Sequence, residues 1–252
     1  MQVRVLRIDV MGVTFDNVTM DQAIGKAAKL LPERKSAYCV TPNAEIVWEA
    51  MHDDAFRSLV NHADLVLPDG AGVVLGAKIL ERPLQGKVAG IDFADRLAGH
   101  LSKTGGRLYL LGSKPGIAEL AGENLKKKYP GLIVCGTADG YFKEEASVVE
   151  KINAAAPDVL FVCLGAPKQE NFMVRHQKEL SVGLMIGLGG SLDGFAGTVK
   201  RAPQWMIRCN LEWLYRLLKE PRRLGRMMRL PKFVLACKKQ HRREKKEGRK
   251  NG

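Results

Sequence analysis

Short apolar runs alternate with amphipathic stretches along the first 190 residues of the chain. The apolar runs are rich in valine, isoleucine and leucine, which is typical of strands buried on both faces of a parallel sheet. The stretches between them repeat apolar residues at helical spacing, which predicts crossover helices. Strands are predicted in AYCV (37–40), ADLVL (63–67), RLYLLGS (107–113), LIVCGTA (132–138), DVLFVCLGAP (158–167) and VGLMIGLGG (182–190).

Local signals define the first part of the chain. The segment VRVLRIDVMGVTF (3–15) is rich in β-forming residues. A helix should begin after Thr19, because T-M-D-Q has the form of a capping box. A further helix is predicted from about Ala44 to Asn61, after a turn that can cap it. Together these signals predict an α/β fold with a mostly parallel sheet flanked by helices.

Positive charge is concentrated at the end of the chain. Among 252 residues there are 40 Lys and Arg and 27 Asp and Glu, a formal net charge of +13. Residues 200–252 contain 18 of the basic and 4 of the acidic residues, so residues 1–199 are close to neutral. Such segregation predicts an anionic partner for the tail, which could be a membrane surface, nucleic acid or an acidic protein.

The pattern of this tail predicts a helical appendage to the α/β core. We expect the core in residues 1–195, a basic amphipathic helical appendage in 196–244 and a disordered end in 245–252. Basic and bulky apolar residues at helical spacing favour a helix in an anionic membrane interface, or a packed helix with a solvated charged face. Nucleic acid is not expected as a partner, because no aromatic stacking platform accompanies the basic cluster after Trp213 and Tyr215.

Cysteine usage and hydropathy indicate the compartment. Five scattered cysteines without a Cys-x-x-Cys pair argue for reduced thiols in the cytoplasm, and against a disulfide framework or a zinc site. The amino terminus has no long apolar segment of the signal-peptide type. No uncharged apolar run reaches the roughly 18 residues of a membrane-spanning helix.

Polar or glycine-rich turns follow five of the predicted strands. The carboxyl ends of parallel strands form one edge of a sheet, and ligands bind along that edge. Together these turns offer a carboxylate, side-chain amides, glycine N–H groups and helix N-termini, which suit a phosphorylated ligand. The turns are TPN (41–43), PDG (68–70), GSKPG (112–116, which includes Gly112), GAPKQE (165–170) and GLGGSLDG (187–194).

Each candidate side chain in these turns also has a purely structural interpretation. Asp69 lies between Pro and Gly, which is common turn chemistry. Asn43 can be the N-cap of the next helix instead of an amide donor to a sugar hydroxyl or phosphate. Gln169 can lie in a solvated first helical turn instead of bonding a ligand. Asp193 can close a turn instead of accepting hydrogen bonds from a nucleobase or ribose.

Several well-known sites are absent from the sequence. No turn has the Gly-Lys-Ser/Thr ending of a P-loop, and no G-x-G-x-x-G joins a strand to a helix, so a nicotinamide dehydrogenase is unsupported. The five histidines show no metal-ligand spacing. No Asp-x-Asp occurs, so the metal–diphosphate clamp of many sugar-nucleotide transferases is missing. If the protein is a transferase, we expect it to need neither a metal nor another cofactor.

Seven segments, in their order and spacing, resemble the WecG/TagA/CpsF family of bacterial glycosyltransferases. The resemblance implies a Rossmann-like α/β core with a basic helical C-terminal appendage. It also implies an inverting transfer of N-acetylmannosamine from a UDP-sugar donor to the 4-hydroxyl of GlcNAc on diphosphoundecaprenol, in teichoic acid or surface polysaccharide synthesis. The segments cover residues 41 to about 226 and read TPNAEIV, ADLVLPDGAGVV, VAGIDF, LYLLGSKPG, LFVCLGAPKQENFM, GLGGSLDGFAGTVKRAPQWM and LEWLYRLLKEPRRLGR.

The same resemblance implies roles for the strand-end residues. Asp69 would be the general base that takes the proton of the acceptor hydroxyl. Thr41 and Asn43 match residues that line the sugar and base region. Gln169 matches a residue near the donor, and Asp193 matches one that contacts the uridine.

Cationic residues are also implied by the resemblance, as part of the substrate-binding set. Arg216, Arg223 and Arg226 match tail arginines that close over the site and engage diphosphate charge. Lys87 stands where the family often has arginine. Lysine keeps the charge but loses the bidentate geometry of a guanidinium group.

Two other functions remain open on the sequence alone. One is a sister activity that transfers N-acetylmannosaminuronate or another hexose. The other is a non-catalytic nucleotide-sugar-binding scaffold at the membrane, which would have no use for a base at Asp69. A lipid-linked acceptor implies a peripheral protein on the inner face of the cell membrane, and a homo-oligomer is left open.

Overall fold

A parallel sheet of six strands lies at the centre of the part of the chain that the computed structural model describes, which is residues 6–209, 211–219, 225 and 228–248. A separate antiparallel hairpin, which precedes the sheet in sequence, is formed by β1 and β2. The strands are β1 Arg7–Val10, β2 Val13–Asp16, β3 Ala37–Val40, β4 Leu65–Val66, β5 Arg107–Gly112, β6 Ile133–Ala138, β7 Val159–Cys163 and β8 Leu184–Gly187.

Helices connect successive strands from β2 to β8, as the alternating pattern predicts, and further helices follow β8. The helices are α1 Met20–Leu30, α2 Ala44–Ala50, α3 Asp54–Asn61, α4 Ala71–Ile79, α5 Gly90–Thr104, α6 Ile117–Lys128, α7 Glu145–Ala155, α8 Lys168–Arg175, α9 Ser191–Phe195, α10 Gln204–Arg208, α11 Glu212–Lys219 and α12 Arg229–Gly248. The capping box predicted at Thr19 is confirmed, because its side chain accepts from the Gln22 N–H and the Gln22 side chain accepts from the Thr19 N–H.

The strand order in the sheet is β4-β3-β8-β7-β5-β6, and every neighbouring pair is parallel. After β3 the chain moves outward to β4, whereas β8 returns to the other side of β3. The turns that follow β3 and β8 therefore lie side by side, although they are far apart in sequence, at the carboxyl edge where open α/β sheets bind ligands.

Each face of the sheet is covered by its own hydrophobic core, because successive side chains of a strand point to opposite faces. In β5, Leu108 and Leu110 contribute to one core, and Tyr109 and Leu111 contribute to the other. Helices α1, α5 and α6 cover the first face, and α2, α3, α4 and α8 cover the second. This two-sided burial explains why the strands read as continuous apolar runs.

The prediction of a single helix from Ala44 to Asn61 is wrong, because the structure has two helices there, α2 and α3. The side chain of Asp53 accepts from the Phe56 N–H at 2.9 Å and caps a new helix. Because an N-cap residue has an extended backbone, the first helix has to end before it.

The last helix, α12, packs against the core instead of standing apart from it. Phe233 and Cys237 are fully buried, and they belong to the hydrophobic core to which α2 and α4 also contribute. Gly76 of α4 provides the space, because a Cβ there would lie 2.7 Å from the Phe233 ring. The helix continues to Gly248, into the stretch for which disorder is expected, and the domain division at residue 195 stays a prediction.

Among the described residues, no helix is both long enough and apolar enough to cross a membrane.

Candidate active site

Five neighbouring strands carry the candidate residues at their carboxyl ends. Across the sheet, Asp69 follows β4, Thr41 and Asn43 follow β3, the turn 187–190 ends β8, Gln169 follows β7 and Gly112 ends β5. Neighbouring strands lie about 4.8 Å apart, so this row spans about 19 Å. A ligand that contacts both ends of the row therefore has to be elongated.

Backbone hydrogen bonds hold Asp69 from two sides. Its N–H donates to the Pro42 carbonyl at 3.1 Å, and the Val88 N–H donates to the Pro68 carbonyl at 2.8 Å. Gly70 follows with a φ of +81°, a left-handed conformation that favours glycine, and it begins α4. The half-buried carboxylate of Asp69 is thus presented from a well-supported turn.

A guanidinium group that the sequence reasoning missed lies close to this carboxylate. Arg201 donates from Nη1 and Nη2 to the two oxygens of Asp92, at 2.6 and 2.9 Å. This hydrogen bonding is the largest cause that raises the pKa of Arg201, and the negative charges of Asp92, Glu212 and Asp69 add to it. The structure therefore places a fixed cation within electrostatic reach of Asp69.

Thr41 and Asn43 organise the turn after β3. Oγ1 of Thr41 donates to the Gly187 carbonyl at 2.9 Å, across the gap between β3 and β8. Oδ1 of Asn43 accepts from the Glu45 and Ile46 N–H groups at 2.9 and 3.0 Å, so its structural interpretation as an N-cap is confirmed. Because the cap uses the oxygen, the amide group Nδ2 is what Asn43 can offer to a ligand.

Gln169 is buried, so its interpretation as part of a solvated helical turn is wrong. It lies in the first turn of α8, where Gln169 is 3% and Glu170 is 1% exposed. Oε1 of Gln169 accepts from the Gly189 N–H at 2.8 Å, and Nε2 donates to Oε1 of Glu170 at 2.8 Å. The side chain thus connects the turn after β7 to the turn after β8.

At the other end of the row, Asp193 is half-buried in the short helix α9. The hydroxyl of Ser113 donates to Oδ2 of Asp193 at 2.9 Å. Gly112 precedes Ser113 with a φ of +128°, and a Cβ at this position would lie 2.3 Å from the Cys163 carbonyl oxygen. Only glycine therefore lets β5 end so close to β7.

Only two of the four cationic candidates, Lys87 and Arg216, lie among the described residues. Lys87 is half-buried, and the next residue, Val88, bonds the segment that carries Asp69. Arg216 lies in α11. Arg223 and Arg226 lie outside the described residues.

Arg201, Glu170 and Ser113 are the neighbours that sequence reasoning missed. Each lies inside a segment that resembles the family, but spacing along the chain gives no partner for any of them. Ser113 has one local signal, which is its position after a glycine at a strand end. Its φ of +61° is uncommon for a residue other than glycine.

This edge of the sheet combines two carboxylates, two amides, two hydroxyls, a guanidinium group and glycine turns. Such a set can accept a proton, hydrogen-bond sugar hydroxyls and attract negative charge. Within the described ranges, no three His, Cys, Asp or Glu side chains are grouped to hold a metal ion. The arrangement suits an α/β enzyme that binds an elongated polar ligand along the carboxyl edge of its sheet.

Comparison with known proteins identifies the family. Residues 8–247 match the Glycosyl transferase WecG/TagA/CpsF family. A protein of Bacillus spizizenii strain W23 is 40% identical over 84% of this chain and 82% of its own length. A protein of Bacillus subtilis strain 168 is 37% identical over 85% and 84%, and one of Staphylococcus aureus strain MW2 is 35% identical over 95% of both chains.

All three relatives carry the name N-acetylglucosaminyldiphosphoundecaprenol N-acetyl-beta-D-mannosaminyltransferase. The present chain belongs to the WecG/TagA/CpsF family of glycosyltransferases.

Proposed function

We propose that this protein transfers N-acetylmannosamine from UDP-N-acetylmannosamine to the 4-hydroxyl of GlcNAc-diphosphoundecaprenol, in the synthesis of teichoic acid or another surface polysaccharide. The observation that carries the proposal is the shared name of the three relatives, which are 35–40% identical over 84–95% of this chain. The row of polar groups across five strands also fits an elongated nucleotide sugar.

In the proposed mechanism, Asp69 is the general base. The acceptor hydroxyl attacks the anomeric carbon, its proton moves to the Asp69 carboxylate, and UDP leaves from the opposite face of the sugar. A carboxylate in this role has to be held in place, because proton transfer requires hydrogen-bond distance to the hydroxyl. The backbone bonds from Asp69 to Pro42 and from Val88 to Pro68 support such a role.

The leaving UDP develops negative charge, and we propose that side-chain cations stabilise it without a metal ion. Lys87, Arg216, Arg223 and Arg226 are the residues proposed for this contact. Thr41, Asn43 and Gln169, with the backbone of Gly112, are proposed to bind the donor, and Asp193 to bind the uridine. The missing Asp-x-Asp motif supports the metal-independent form of this mechanism.

Because the acceptor is anchored in lipid, the enzyme is proposed to work as a peripheral protein on the inner face of the cell membrane. Helix α12 supports this, since Lys238, Lys239, Arg242 and Arg243 lie on one face of the helix together with Leu235, which is 65% exposed. Basic residues near an anionic surface contribute about 1 kcal/mol each. Flotation should detect binding to vesicles that contain anionic lipid, and replacing these four cations with glutamine should abolish it. Equal binding of both proteins would contradict this part.

The decisive experiment measures UDP release from UDP-N-acetylmannosamine with a GlcNAc-diphospholipid acceptor in the presence of EDTA. Wild type should turn over and give a β-linked product by NMR. Asp69→Asn should retain UDP binding but lose most of the turnover, by about 100-fold or more. Asp54→Asn is a suitable control, because that carboxylate is 86% exposed on α3.

Other outcomes would change the proposal. Turnover by Asp69→Asn at the wild-type rate would leave Asp69 as a turn residue only. Turnover that EDTA abolishes and a divalent cation restores would contradict metal independence. If wild type is inactive with this donor, UDP-N-acetylmannosaminuronate and other UDP-hexoses should be tested.

A further inference from the structure

Glu170 is a buried acid that the proposed mechanism does not use. It is 1% exposed in the first turn of α8, directly after Gln169. A carboxyl group in such a position has lost its hydration and needs protein partners. Its Oε1 has one, the Nε2 amide of Gln169 at 2.8 Å, whereas its Oε2 is buried without a hydrogen-bond partner among the described residues.

The Gly189 N–H and Glu170 together determine the orientation of the Gln169 amide. A backbone N–H can only donate, so the atom of Gln169 that faces the Gly189 N–H at 2.8 Å has to be the oxygen. The NH2 group then faces Glu170 and needs an acceptor there. Of the two possible amide orientations, only this one makes both contacts hydrogen bonds.

Gln169 in turn holds the end of β8. A Cβ at Gly187 would lie 2.9 Å from Nε2 of Gln169, so the amide packs directly against this backbone. On the other side, Thr41 bonds the Gly187 carbonyl at 2.9 Å. The turn 187–190 is therefore held between residues that follow the two neighbouring strands, β3 and β7.

We infer that Glu170 is a positioning residue of the nucleotide-sugar site, which acts by fixing the Gln169 amide and, through it, the turn 187–190. This inference rests on the proposed function, in which Gln169 and this edge of the sheet bind the UDP-sugar. Glu170 itself does not touch the substrate. Its contribution is to keep Gln169 from rotating and the Gly189 N–H from losing its partner.

The acceptor oxygen of Glu170 indicates which replacement should preserve this contact. Burial raises the pKa of the Glu170 carboxyl, and the nearby charge of Glu49 adds to this, against the hydrogen bond from Gln169. Oε1 can accept from Gln169 in the ionised and in the protonated acid, where the proton is on the other oxygen. Glutamine has the same acceptor oxygen, whereas methionine has a similar length and no such acceptor.

The first test measures UDP affinity by calorimetry and turnover with the proposed substrates. Glu170→Gln should bind UDP with an affinity within about threefold of wild type. Glu170→Met should bind UDP about tenfold more weakly, because it loses the free energy of about one hydrogen bond. The Gln169→Met, Glu170→Met double variant should be no weaker than Gln169→Met, because both changes remove the same contact. Glu145→Gln is the matched control, since Glu145 bonds the other end of α8 through Arg175 and His176.

The second test needs no ligand. Amide hydrogen exchange of Gly189, measured by NMR, should be faster in Glu170→Met than in wild type and unchanged in Glu170→Gln and Glu145→Gln. If Glu170→Met does not fold, Glu170→Ala removes the same acceptor with fewer atoms and takes its place in both tests.

Three results would overturn the inference: wild-type UDP affinity in Glu170→Met, equal losses in Glu170→Gln and Glu170→Met, or additive losses in the double variant. Failure of the proposed function has a different signature. In that case wild type itself would neither bind UDP nor turn over, while the exchange of Gly189 would still report whether Glu170 holds the turn.

Discussion

Oγ1 of Thr41 donates a hydrogen bond to the carbonyl oxygen of Gly187 at 2.9 Å, and this bond joins the carboxyl ends of the neighbouring strands β3 and β8. The two residues are far apart in sequence but adjacent in the sheet. Thr41 is 8% exposed, so the bond lies at the inner wall of the candidate site.

Replacing Thr41 with valine should show how much this bond contributes to stability and to donor binding. Thr41→Val keeps the side-chain shape but leaves the Gly187 carbonyl unpaired, which should cost about 1 kcal/mol in the free energy of unfolding. The KM for the donor should also rise, because the turn 187–190 loses a support. Urea unfolding and steady-state kinetics would measure both effects. Thr41→Ser retains the hydroxyl and is the control; equal behaviour of the two variants would contradict this prediction.

The ion pair between Arg201 and Asp92 should have a measurable coupling energy. Arg201→Lys keeps the charge but loses the two-point contact, and should cost about 0.5–1 kcal/mol in stability for a partly exposed pair. A double-mutant cycle with Asp92→Asn isolates the coupling. Arg201→Gln should lower turnover more than Arg201→Lys, because it also removes the positive charge near Asp69. Equal turnover of both variants would mean that the charge has no role in catalysis.

Phe233 should anchor α12 to the core. Phe233→Ala removes a fully buried ring and leaves a cavity beside Gly76, which should cost about 3 kcal/mol or more. Leu235 lies two positions along the same helix and is 65% exposed, so Leu235→Ala should change stability by less than about 0.5 kcal/mol. Urea unfolding compares the two. Similar values would show that α12 is not packed in solution as described.

Gly112 should not tolerate a side chain. Gly112→Ala places a Cβ 2.3 Å from the Cys163 carbonyl oxygen at a φ of +128°, so it should cost at least about 2 kcal/mol through strain and overpacking. Gly25, in the interior of α1, has open space around its Cβ position, and Gly25→Ala should stabilise by about 0.5–1 kcal/mol through helix propensity. Thermal unfolding should show a lower Tm for Gly112→Ala and a higher Tm for Gly25→Ala than for wild type.

The contact between Glu145 and His176 should make stability depend on pH. The hydrogen bond from His176 at 2.7 Å is the largest cause that lowers the pKa of Glu145, and Arg175 adds to it. An acid with a lowered pKa contributes stability above its ordinary value of about 4.3, and this contribution is lost as the pH falls through the folded-state value. The difference in Tm between wild type and Glu145→Gln should therefore be largest near neutral pH and shrink below about pH 4. A difference that is constant with pH would contradict this cause.

Much of the fold was predictable because its signals are local. A strand buried on both faces has to be apolar throughout, so runs such as AYCV and DVLFVCLG can be recognised as strands from the sequence. The capping box at Thr19 is a contact between residues three apart, and it forms as predicted. The break between α2 and α3 was missed, because an aspartate within a helical pattern does not reveal whether it caps a new helix or faces solvent.

For the candidate site, the sequence alone determined which turns lie at the carboxyl edge, because parallel strands bring those ends together whatever their order. Tertiary structure decided the partners. The bond from Gly189 to the buried Gln169, the bond from Ser113 to Asp193, and the contact of Arg201 with Asp92 near Asp69 all join segments that are distant in sequence. These contacts depend on the strand order β4-β3-β8-β7-β5-β6, and hydrophobic periodicity is the same for every order in which the strands could be arranged.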